Sequence, residues 1–102
     1  IAAARQAVSL PKRAVFYRLV IKSSAAKELE AVGQKADRAR LVASIQELAV
    51  QPKPVGAEKL SGHIDLYRIR VGNYRVVYEI DNGQIVVTVI KVGHRKEIYR
   101  SF

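Results

Sequence analysis

The chain contains no cysteine, no methionine and no tryptophan, and it carries nine acidic side chains against 18 basic ones. Without cysteine there is no disulfide, no thiolate zinc site and no thiol nucleophile, and a reducing, cytoplasmic setting fits. Without methionine, Ile1 is not a start-codon residue. No stretch approaches the roughly 18 uninterrupted apolar residues that mark a membrane-spanning helix. Residues 1–10, interrupted by Arg5 and Gln6, lack the apolar run of a secretion signal. No membrane partner is therefore expected. Several chemistries are missing as well: there is no glycine-rich phosphate loop, no HExxH, no paired acidic motif of the glycosidase kind and no serine in an elbow signature. The two histidines, His63 and His94, stand 31 residues apart with no carboxylate cluster beside either, so neither a catalytic metal nor a cofactor is implied.

What remains is a single small domain. At 102 residues and 49% hydrophobic content, folding buries roughly two-thirds of the unfolded surface, enough for a core without staples. The net charge is +9, and it is uneven. Residues 1–22 hold Arg5, Lys12, Arg13, Arg18 and Lys22 and no acid, residues 23–62 are nearly balanced, and residues 63–102 have seven basic groups against four acidic ones. Such a field attracts polyanions but specifies no fold. We divide the chain into a basic N-terminal extension over 1–13, flexible or ordered, and one domain over 14–102.

Residues 14–22 are β-branched and aromatic and predict a strand, with Ser23 and Ser24 positioned to cap a helix. Ala25, Leu29 and Val32 follow at helical spacing, with Gly33 as a C-cap. Asp37 starts a second helix with Leu41, Ile45 and Leu48 as its apolar stripe, ended by Pro52 and Pro54. The period then falls to two: 64–71, 74–80 and 85–92 read as strands joined at Gly72-Asn73 and at Asp81-Asn82-Gly83-Gln84, Asn-Gly being the stronger hairpin signal. The fold class is α+β, in the order β-α-α-β-β-β, with a mainly antiparallel twisted sheet, a helical hairpin on one face and a short C-terminal tail.

A two-residue turn at Gly72-Asn73 sets Val71 against Tyr74, Arg70 against Arg75, Ile69 against Val76 and Arg68 against Val77. Arg68, Arg70 and Arg75 then share one sheet face, while Tyr67 and Tyr78 meet on the other, beneath the helices. Arginines directly opposed across a strand pair repel unless an anion lies between them, and a phosphate would satisfy the pair. The plainer reading has the side chains extending into water, or Glu79 and Asp65 partly neutralising them. A second dense segment follows, from Val92 to Arg100, with an imidazole at His94, a phenol at Tyr99 and several cations. His94 is the group there that exchanges protons readily near neutrality; His63 reads as an exposed loop residue.

The ordered motifs Lys59-Leu60-Ser61-Gly62, Leu66-Tyr67-Arg68-Ile69-Arg70, Tyr74-Arg75-Val76-Val77-Tyr78 and Val92-Gly93-His94-Arg95, followed by Ile98-Tyr99, resemble the RelE branch of the RelE/ParE toxin superfamily over about residues 15–100. The resemblance implies a type II toxin that enters the ribosomal A site and cuts mRNA there without a metal. By that route a ribose 2′-hydroxyl attacks the adjacent phosphate, leaving a 2′,3′-cyclic phosphate and a 5′-hydroxyl. It assigns catalytic positions to Arg68, Arg70, Arg75, Arg95 and Tyr99, to which we add His94. Arg70, Arg75 and Arg95 would hold the phosphate, Tyr99 would orient a base, and His94 or Tyr99 would move protons. Lys59, Arg18, Lys22, Lys91, Lys96 and Arg100 would supply further RNA and ribosome contacts. Arg68 and Arg70 stand where lysine is common in the family, and arginine is effectively never neutral, which leaves the general base unassigned. Implied partners are an acidic, RelB-like antitoxin, the ribosome with its mRNA, and operator DNA only through the antitoxin complex. The alternatives are a ParE-like inhibitor of DNA gyrase and a basic module that binds RNA without cutting it.

Overall fold

A computed structural model describes residues 16–60, 62 and 65–95. The elements run β1 (Arg18–Ile21), α1 (Ser23–Glu30), α2 (Lys35–Glu47), β2 (Glu58–Lys59), β3 (Leu66–Val71), β4 (Tyr74–Asp81) and β5 (Val86–His94). The five strands form one sheet in the order β1-β5-β4-β3-β2, parallel only between β1 and β5. The α+β class and the helical hairpin on one face are as the sequence indicates. The two-residue β2, too short to show a period, is an addition to the sequence reading. Residues 1–13, Ser61, His63, Lys96, Tyr99 and Arg100 lie outside the described residues.

The core forms where the helical stripes meet the apolar side of the sheet. Ala25 from α1, Leu41 and Ile45 from α2, and Leu48 just beyond it are fully buried against Val76, Tyr78, Val87 and Val89, with Tyr67 and Tyr74 at the margin. Tyr67 and Tyr78 stack with ring centroids 6.0 Å apart, on the helix side as their register requires. Among the described residues no helix is long and apolar enough to cross a membrane.

Three local expectations are corrected. Lys22, not a serine, occupies the N-cap of α1, and no side chain caps it. Asp37 lies in the first turn of α2 rather than at its cap, which is Gln34; there its carboxylate favours the helix dipole and accepts a hydrogen bond from Arg40 at 2.5 Å. Gly33 is not the C-cap of α1, which is Ala31 in a right-handed conformation. The Val32 carbonyl between the helices instead accepts a hydrogen bond from Arg38 Nη1 at 3.0 Å, so no left-handed glycine is needed.

The β4–β5 connection also departs from the Asn-Gly turn. It spans 82–85, and the positive φ, 59°, falls on Ile85, a conformation that costs a β-branched residue about 1–2 kcal/mol. Two tethers hold it: Asp81 Oδ1 accepts from the Gln84 amide at 3.0 Å, and the Ile85 carbonyl accepts from the Arg18 amide at 2.9 Å.

Where β1 ends, Glu28 of α1 continues its role at the margin of β5. Its carboxylate accepts from the Val92 amide and from Lys91 Nζ, both at 2.9 Å. This fastens α1 to the part of β5 that leads into Arg95.

Candidate nucleic-acid interface

The register of β3 and β4 matches the one expected from the turn: Arg68↔Val77, Arg70↔Arg75 and Val71↔Tyr74. Gly72, with φ +60°, is the one residue of the two-residue loop with positive φ, the pattern of a turn that follows the right-handed twist of the strands. This turn phases the arginines onto the face away from the helices.

The three arginines differ in setting. Arg70 is exposed. Arg75 is only 5% exposed. Its Nη1 donates to the carbonyls of Tyr74 at 2.9 Å and Gly72 at 3.3 Å, so the turn itself fixes the guanidinium. Across from it on β5 stands Gly93, which brings no side chain to the site. Arg68 forms an ion pair with Glu58, its direct neighbour on β2.

Glu58 is the carboxylate that the sequence does not point to: Glu79 and Asp65 are the neutralising candidates there, and β2 supplies a different one. A hydrogen bond from Arg68, followed by the charge of that arginine, holds the Glu58 carboxyl below the usual carboxylate range, and the charges of Arg70 and Arg75 act in the same direction. Arg68 alone contacts the carboxylate, and the charges of the other two act on it from a distance. Because the folded value lies below the unfolded one, the pair stabilises the fold above the ordinary carboxylate range. That contribution disappears as pH falls through the folded value. Glu58→Gln is expected to flatten the fall of Tm between about pH 5 and pH 3; unchanged acid slopes in a melting series would show that the pair adds nothing.

Like charges at directly opposed positions cost stability, so the Arg70↔Arg75 pairing is unfavourable in the absence of an anion. Arg70→Gln is expected to raise stability by about 0.2–1 kcal/mol at low salt, the gain shrinking as salt screens the pair. Thermal melts at two ionic strengths check this, and a lower Tm for the variant at low salt would contradict it.

The other expected residues are distributed as follows. The Arg95 amide donates to the Asn73 carbonyl at 2.9 Å, which seats Arg95 beside the arginine hairpin. His94, expected to act with the arginines, is placed on the other side of the sheet. It pairs with Tyr74, meets its ring edge-on at 5.8 Å and lines a helix-side cleft with Glu28 and Val32. The reason is a bulge: β5 spends one extra residue between the partners of Val77 and Tyr78, which reverses the alternation beyond it. Lys91 is ion-paired with Glu28. Lys59 pairs with Tyr67, which sets it on the helix side of the edge strand. Arg18, opposite Val86, shares the arginine face but lies about 20 Å along the strands from Arg75. Lys22 is exposed at the start of α1. Tyr99, Lys96 and Arg100 lie outside the described residues. Among the described residues no cluster of three or more His, Cys, Asp or Glu side chains could hold a metal.

An open sheet with a helical hairpin on one side and a cationic face on the other defines a small α+β domain. Residues 19–99 match the family model described as the ParE toxin of the type II toxin-antitoxin system, parDE. The mRNA interferase toxin RelE of Escherichia coli is 34% identical over 87 residues, covering 81% of this chain and 90% of its own. A RelE toxin of Methanocaldococcus jannaschii is 44% identical over 45 residues, a match spanning 49% of that relative. The archaeal RelE-RelB complex from Pyrococcus horikoshii superposes with a TM-score of 0.70 at 31% identity, covering 79% of this chain and 97% of that one. The chain belongs to the RelE/ParE superfamily of type II toxins, in its RelE branch.

Proposed function

We propose that the protein is an endoribonuclease toxin that cuts mRNA in the ribosomal A site by metal-independent attack of a ribose 2′-hydroxyl on the adjacent phosphate. The observation that carries this reading is the Arg70–Arg75 pair, two arginines directly opposed across β3 and β4, with Arg68 and Arg95 nearby. The arrangement is unfavourable when empty and favourable around a phosphate, whose oxygens accept bidentate hydrogen bonds from arginine. Charge building on the phosphoryl oxygens in the transition state meets donors already in place. The naming of the E. coli relative as an mRNA interferase supports the same reading. An acidic antitoxin is the proposed neutralising partner, covering the cationic face and so keeping RNA from it; RelB accompanies RelE in the archaeal neighbour. Operator DNA would be reached only through that complex.

The test is to map cleavage on programmed ribosomes exposed to the purified protein. Cuts in the A-site codon with 2′,3′-cyclic phosphate and 5′-hydroxyl ends are expected. Intact mRNA would overturn the reading. The matching family model carries the ParE description, which favours gyrase inhibition as a second reading; loss of supercoiling activity with mRNA left intact would establish that one instead.

A further inference from the structure

Attack by a 2′-hydroxyl needs a group that accepts its proton, and the arginines that would hold the phosphate cannot, being permanently charged. His94 is separated from them by the sheet. Three described acidic residues share the face of the arginines by register: Glu58, Glu79 and Asp81. Asp81 closes the far end of β4 at the β5 turn. Glu79, opposite Leu66 and Thr88, is four residues from Arg75, about 13 Å along the strand. Glu58 is opposite Arg68, two residues from Arg70 and thus about 7 Å along the strand. Its side chain is 59% exposed, and Arg68 engages Oε1, so the carboxylate is held by one oxygen while open to an approaching ribose.

We propose that Glu58 is the catalytic base, taking the proton from the attacking 2′-hydroxyl while Arg70 and Arg75 hold the phosphate. The proposal rests on the ribonuclease reading above and supplies the proton acceptor it lacks. In the step, a Glu58 oxygen accepts the 2′-hydroxyl proton as the 2′-oxygen bonds to phosphorus. The bond from phosphorus to the 5′-oxygen breaks, and that oxygen takes a proton from water. Glu58 then returns its proton to solvent. The ion pair alone would make the carboxylate a weak base. An incoming phosphate competes with it for the arginines, and each guanidinium drawn away raises its proton affinity. The substrate thereby activates the base that acts on it.

The test uses the full chain on programmed ribosomes in single turnover. Glu58→Gln is expected to slow cleavage by roughly 10²–10³-fold, with binding to the programmed ribosome within a few-fold of wild type and Tm at neutral pH lowered only by the small contribution of the exposed ion pair. Glu58→Asp, which keeps the carboxylate, should retain more activity than Glu58→Gln. A second substrate carries sulfur in place of the bridging 5′-oxygen, a leaving group that needs no proton. A missing base is not bypassed by it, so the deficit of Glu58→Gln relative to wild type should persist. Restoration of Glu58→Gln to the wild-type rate on the sulfur substrate would place Glu58 on the leaving group and overturn the proposal, as would wild-type cleavage of the oxygen substrate by Glu58→Gln. Failure of the wild-type protein to cleave would overturn the ribonuclease reading, and the base assignment with it; rapid cleavage by both proteins overturns the assignment alone.

Discussion

Arg75→Ala is expected to lower the rate of mRNA cleavage by roughly 10²–10³-fold, the loss typical of removing one preorganised donor from a developing oxyanion. The size of the effect follows from burial. Arg75 is fixed by the carbonyls of Gly72 and Tyr74, so its position is set before RNA arrives. Its Nε is buried without a hydrogen-bond partner among the described residues, which adds to the cost of keeping a cation there. Deleting the side chain removes two backbone hydrogen bonds, worth roughly 0.5–1.5 kcal/mol each, but also relieves the repulsion with Arg70. The net change in stability should therefore be small beside the change in rate. Arg75→Lys keeps the charge and loses the planar fork, and it should fall between the two. Single-turnover cleavage paired with a melting curve separates these effects. A rate within threefold of wild type for Arg75→Ala would remove this residue from the phosphate site.

Tyr78→Ala is expected to cost about 3–5 kcal/mol, a large share of the 5–15 kcal/mol that holds a small domain together. Tyr78 is fully buried, stacks on Tyr67 and donates its hydroxyl to the Pro52 carbonyl at 2.7 Å. Burial pushes the phenol well above its ordinary range, the neighbouring Tyr67 adding to the effect, so the hydroxyl stays a donor at any working pH. The bond to Pro52 ties the sheet to the segment between α2 and β2, and hence to the strand that carries Glu58. Tyr78→Phe, which removes only the hydroxyl, should cost about 1 kcal/mol. Urea denaturation midpoints would measure both, and a loss below about 1.5 kcal/mol for Tyr78→Ala would mean that the site collapses around the vacancy.

Much of the cationic face can be read from one glycine-containing turn and a period of two. Gly72-Asn73 closes in two residues, and every pairing from Leu66↔Glu79 to Val71↔Tyr74 then follows in order. The helical stripes are equally plain, because Leu41, Ile45 and Leu48 repeat at the spacing of one helix face. Two features escaped for physical reasons. A strand of two residues has no periodicity, so Glu58 emerges only when its pairing with Arg68 is seen. The bulge in β5 has no distinctive residue either. Unbroken alternation from Val87 and Val89 would carry His94 to the arginine face, whereas the extra residue turns it toward Tyr74. The helix caps depart from the sequence pattern because Ser23, Gly33 and Asp37 each have a good local preference that the surrounding hydrogen bonds override.

The Arg70–Arg75 opposition also couples occupancy to folding. Any anion that seats between the two guanidinium groups binds the native chain and not the unfolded one. It therefore stabilises the fold by mass action, about 2.7 kcal/mol at a hundredfold excess over Kd. The unliganded protein is then the most perishable form of the molecule, and its lifetime in the presence of a protease becomes a readout of how much of it is bound.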